Sequence, residues 1–124
     1  MPLTYNFEDI VKKRAERDPE FRMHLLSEAF EALLSDDLAT AKVLLRYYVN
    51  ATGGIKHLAN ELNKKPQSLR GMLSKKGNPY AKNLLRMVGH LKKREGVELK
   101  LTLTRAQAPN ETPSESNEQI LQYF

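Results

Sequence analysis

The stretch from Ile55 to Pro79, IKHLANELNKKPQSLRGMLSKKGNP, constrains the fold more than any other part of this chain. Read as two short helices joined by a tight bend, it places Leu58, Ala59 and Leu62 on one inner face and Leu69, Met72 and Leu73 on the other. Ala59 supplies the narrow side chain that two steeply crossing helices need at their contact. Asn63 falls at the bend, where a left-handed backbone is required and Asn tolerates it better than most residues. Pro66 suits the first turn of the second helix, because its missing N–H would have no partner there. This is the spacing of a helix-turn-helix, the unit whose second helix enters a DNA major groove.

The segment LANELNKKPQSLRGMLSKKGNP also resembles the repressor-type helix-turn-helix of addiction-module antidotes, the antitoxins paired with RelE/ParE-like toxins. Their pattern of spaced leucines ending in Gly-Asn-Pro is matched by Gly77-Asn78-Pro79, and the similarity reaches upstream to Asp18-Pro19-Glu20, so that it covers roughly residues 18–104. Three positions depart from it. Lys64 stands where the family usually has an apolar residue, Asn63 where it has Gly, and Pro66 where it has a polar residue at the head of the reading helix. The last removes one base-reading side chain. The resemblance implies a mostly α, lambda-repressor-like domain that binds operator DNA in its own promoter, represses that operon and neutralises a RelE-like toxin.

Charge is distributed as such a role requires. Residues 1–52 carry 7 Lys/Arg against 9 Asp/Glu, residues 53–105 carry 13 against 3, and residues 106–124 carry none against 3. The basic excess coincides with the helix-turn-helix stretch, as a phosphate-binding surface demands. Counting outward from the inner leucines, the exposed positions of the second helix are Gln67, Ser68, Arg70, Gly71 and Ser74. Gln67 can pair bidentately with adenine and Arg70 with guanine or a phosphate, while Gly71 lets the helix sit close to the groove wall. Lys56, Lys65, Lys75, Lys76 and Asn78 flank this helix as phosphate candidates.

Before the motif, Asp18-Pro19-Glu20 starts a helix to about Ser35, whose broad apolar stripe (Phe21, Leu25, Leu26, Ala29, Phe30, Leu33, Leu34) can pack against more than one neighbour. Leu38–Thr52 forms the next helix and Gly53-Gly54 stops it. Tyr80–Arg94 supplies a further helix, giving five from Pro19 onward. The opening residues read either as a short strand, with Leu3, Tyr5 and Phe7 alternating, or as a helix Phe7–Glu16 capped by Asn6. Val97–Thr104 alternates without a break and predicts a strand, paired with Leu3–Phe7, with a second copy or with the sheet edge of another protein. These boundaries suggest an N-terminal helical extension (1–35), a DNA-binding domain with a terminal strand (36–104) and a flexible tail (105–124) bearing a late apolar cluster, Ile120, Leu121, Tyr123 and Phe124.

No enzyme chemistry is expected. His24, His57 and His90 share no spacing, His57 and Glu61 lack a third ligand, and Gly53-Gly54 lacks the Lys-Ser/Thr of a phosphate loop. The absence of cysteine, of a secretory leader and of any membrane-length apolar run points to a cytoplasmic protein without cofactor, metal or membrane partner. Dimerisation is expected, because one short reading helix gives modest affinity and palindromic operators match two-fold proteins. The acidic stretch from Phe7 to about Ser35 is the expected toxin contact, since toxins that grip RNA are basic. Two alternatives remain open: a stand-alone regulator or phage-type repressor without a toxin, and a protein-interaction module that no longer reads DNA.

Overall fold

A computed structural model describes residues 6–106. They form six helices: α1 (Phe7–Arg17), α2 (Pro19–Leu34), α3 (Leu38–Ala51), α4 (Gly54–Leu62), α5 (Pro66–Leu73) and α6 (Ala81–Glu95). The mostly α expectation holds. Of the two readings of the N-terminus, Phe7 follows the helical one: the Asn6 side chain accepts the Glu8 N–H at 3.0 Å, with Glu8 and Asp9 in the first turn. Leu3 and Tyr5 lie outside the described residues, as does the apolar cluster at Ile120–Phe124.

Asp18 ends α1 and starts α2, its carboxylate accepting the N–H groups of Glu20 and Phe21. The wide stripe of α2 is then divided between two cores. Leu25 joins Val11 and Ala15 of α1 in a small cluster against α3. Leu26, Ala29 and Phe30 face the other way, into the main core built with Leu45, Tyr48 and Val49 of α3 and the inner residues of α4, α5 and α6. Helix α2 therefore shares one core with α4, α5 and α6.

A polar knot fastens the far ends of these helices. The Arg22 guanidinium donates through Nε to both Glu95 oxygens (2.9 and 3.2 Å) and through Nη1 to the Ala15 carbonyl (2.9 Å), and Tyr48 donates its hydroxyl to Glu95 at 2.6 Å. Burial, together with that bond to Glu95, pushes the Tyr48 phenol well above its ordinary range.

Gly96, in the left-handed region at φ 72°, terminates α6, and the Val97 N–H returns to the Lys92 carbonyl at 3.1 Å. Val97 packs against the main core. Beyond it, Glu98–Thr104 carries no regular secondary structure, and no strand occurs among the described residues. The physical reason is direct: a strand's backbone groups need another strand, and the N-terminal candidate turns helical at Phe7.

Candidate nucleic-acid interface

The unit formed by α4 and α5 is made by local chemistry. Gly53 and Gly54, at φ 106° and 84°, let the chain turn out of α3 and begin α4. Asn63 ends α4 at φ 55° and ψ 47°, and the N–H groups of Asn63 and Lys64 close back on the Asn60 and Ala59 carbonyls. Lys65 is extended, as the residue before proline prefers to be, and Pro66 opens α5. Leu58, Ala59, Leu62, Leu69 and Leu73 are buried between the two helices and the core; Met72 is half-buried.

With that face turned inward, Gln67, Ser68, Arg70 and Gly71 are exposed on the outer face of α5. A Cβ added at Gly71 would meet nothing within 4 Å, so this stretch of the helix presents bare backbone to solvent. Ser74 differs: it is half-buried at the C-cap, and its hydroxyl bonds the Gly71 carbonyl at 2.9 Å, at the opposite end of α5 from Gln67. Lys56, Lys65, Lys75, Lys76 and Asn78 are all exposed, and among the described residues none of the four lysines is in an ion pair. Arg70 borders a concavity of about 370 Å³ whose lining also includes Arg46, Lys75, Ile55 and Leu73.

Two residues essential to this geometry escape a reading of the motif alone. Lys42 of α3 is only 4% exposed, and its Nζ donates to the carbonyls of Lys75 (3.1 Å) and Gly77 (2.8 Å). Arg46, one turn further along α3, donates to the Leu73 carbonyl. Together they satisfy acceptors at and just beyond the C-terminal end of α5, where free carbonyls and the negative end of the helix dipole both favour cations. The one available signal was positional: Lys42 sits on the same helical stripe as Leu38, Leu45 and Val49. Gly77 completes the arrangement, for a Cβ there would lie 2.0 Å from the Gly71 carbonyl oxygen. The loop carrying Lys75, Lys76 and Asn78 is thus pressed against α5 in a way only glycine permits.

Glu61 is the sole acid between Gly53 and Arg94, and its carboxylate is engaged by α6. Arg94 donates to it at 2.7 Å, while His90 Nε2 lies 3.3 Å and His57 Nε2 3.5 Å from the same oxygen. Partial desolvation raises the Glu61 pKa, but the Arg94 hydrogen bond and charge, with the neighbouring imidazoles, together outweigh it and hold the carboxyl below its ordinary range. Arg94 also reaches the Thr52 hydroxyl at 2.5 Å and lies 5.9 Å over the Tyr48 ring, so this group belongs to the packing of α4 on α6. Among the described residues no cluster of three or more His, Asp or Glu is placed to hold a metal ion, and no helix is long and apolar enough to cross a membrane. In comparison with known proteins, no family, no curated protein and no solved structure matches this chain, so the functional reading rests on sequence and geometry.

Proposed function

We propose that this chain is a helix-turn-helix DNA-binding protein of the antitoxin type, with α5 as the reading helix. The observation that carries the reading is the outer face of α5. Gln67, Ser68 and Arg70 stand exposed on a helix whose opposite face is buried in the core, and Lys56, Lys65, Lys75 and Lys76 of the flanking segments are exposed, with Glu61 as the sole acid between Gly53 and Arg94. In this reading Gln67 and Arg70 contact base edges, Ser68 and Gly71 allow close approach, and the lysines with Asn78 contact phosphates. Ser74, half-buried at the C-cap with its hydroxyl on the Gly71 carbonyl, is left out of the base-reading set. The terminal strand of the domain belongs to an assembled state.

The resemblance to addiction-module antidotes extends the proposal: the chain represses its own operon and neutralises a basic RelE-like toxin. The acidic side of the N-terminal half suits that second partner. A groove of about 520 Å³ between α1 and α3 is lined by Glu8, Asp9 and Glu16 together with Lys12 and Tyr47. Co-expression with a RelE-like neighbour, scored by growth rescue and co-purification, tests this half of the proposal.

The DNA half is tested on a duplex selected from a random library, with unselected duplex as control. Affinity for both should fall with salt, in proportion to the phosphates neutralised. Arg70→Ala should weaken binding to the selected duplex by about 1–3 kcal/mol and leave unselected duplex nearly unchanged. Equal loss on both would reduce Arg70 to a phosphate contact, and a flat salt slope would end the DNA reading.

A further inference from the structure

We propose that Val97–Thr104 forms its strand by pairing antiparallel with the same segment of a second copy, about a two-fold axis through Leu101. The inference does not rest on DNA binding. It starts from a gradient of exposure along one apolar face. Val97 is packed on the core, Leu99 is 41% exposed, Leu101 65% and Leu103 97%. The face is turned toward α2 at its start, where Val97 and Leu99 line a groove of about 510 Å³ with Met23, Leu26 and Phe30. Further along, none of the described residues covers Leu101 or Leu103.

The pattern is complementary to itself, and that selects both occupant and register. A two-fold axis through a residue sets like faces together, whereas an axis between residues would set each apolar side chain opposite a polar one. Through Lys100, the axis would place two lysines face to face, which is unfavourable. Through Leu99, pairing would stop at Val97 and Leu101, because Glu95 is still helical. Through Thr102, Leu99 would oppose Arg105 and only Leu101 and Leu103 would pair as apolar residues, whereas through Leu101 the residue that meets Arg105 is Val97, which is already packed on the core. Through Leu101, Leu99 opposes Leu103, Lys100 opposes Thr102 and Glu98 opposes Thr104, so no like charges meet. Leu103, the most exposed apolar side chain, then lands beside Leu99 of the partner subunit, at the rim of the partner's groove. The two-stranded ribbon lies across both copies of α2, which supply the second layer that an isolated pair of strands lacks.

The test uses the full chain without DNA. Wild-type protein at micromolar concentration should sediment as a dimer. Leu101→Arg and Leu103→Arg should each weaken dimerisation on the order of 100-fold while leaving the helical circular dichroism unchanged. The chain has no cysteine, so single substitutions report proximity cleanly. Leu101→Cys should oxidise to a disulfide-linked dimer much faster than Lys100→Cys or Leu103→Cys. A monomeric wild type, a dimer that survives both arginines, or fastest crosslinking at Lys100 or Leu103 would each overturn the proposal.

Discussion

Helix α5 is eight residues long and buries Leu69 and Leu73 almost completely; the segment 97–106 carries four alternating apolar side chains and fully buries none. Neither has enough contacts within itself to be stable. An isolated helix shorter than about 12–15 residues is marginal in water. Helix α5 persists because its inner face reaches the core and its C-terminal carbonyls reach Lys42 and Arg46. The later segment has one anchor, Val97, and then runs off the surface. A helix satisfies its own backbone and needs only a floor; a strand needs a floor and a neighbour. Within one chain, only α5 has what it needs.

The largest test of this contrast is Leu69→Ala. Leu69 is 0% exposed at the contact of α5 with the core, so its truncation should cost about 2–5 kcal/mol, read as a shift of the urea midpoint at unchanged slope. A loss below about 1 kcal/mol would mean that packing does not hold α5 in place, and the comparison would fail.

Lys42→Met should have the next largest effect. The methionine keeps most of the buried stem but leaves the Lys75 and Gly77 carbonyls without their donor, at a cost of about 1–3 kcal/mol. Hydrogen exchange should quicken across residues 74–78 more than across α2, because the clamp acts on that loop. Uniform loosening of the whole chain would make Lys42 an ordinary core residue instead.

How much of this was legible depends on the range of the interaction. Asn63 at the bend, Pro66 at the first turn and the buried leucines on either side all follow from neighbours within a few residues. The asparagine cap on α1 was one of two local readings, and only the finished fold separates them. Lys42 binding Gly77, Arg46 binding Leu73 and Arg22 binding Glu95 join positions far apart in the chain, and no local pattern announces them. Read as composition, Lys42 and Arg46 counted merely as cations in an acidic half. Val97–Thr104 alternates as a strand would, but among residues 6–106 no second strand pairs with it and it takes no regular structure.

The smallest effect is expected at Glu61, and its sign is fixed by the partners that face it. The carboxylate meets Arg94, His90 and His57, all potential cations, and its pKa is lowered on folding. A lowered carboxyl pKa stabilises the native state at every pH above the unfolded value and ceases to do so as pH falls through the native one. Glu61→Gln should therefore melt slightly below wild type at neutral pH, by less than about 1 kcal/mol for a pair at the surface. The two proteins should converge as the solution is taken below the ordinary carboxyl range toward about pH 3. Protonating either imidazole adds a positive partner rather than removing one, so the histidines cannot reverse that order while Glu61 is ionised. A glutamine variant more stable than wild type at neutral pH would show that the desolvation of Glu61 outweighs its cations. The joint between α4 and α6 would then be held by the buried apolar faces alone, which is the same rule that distinguishes α5 from the segment after α6.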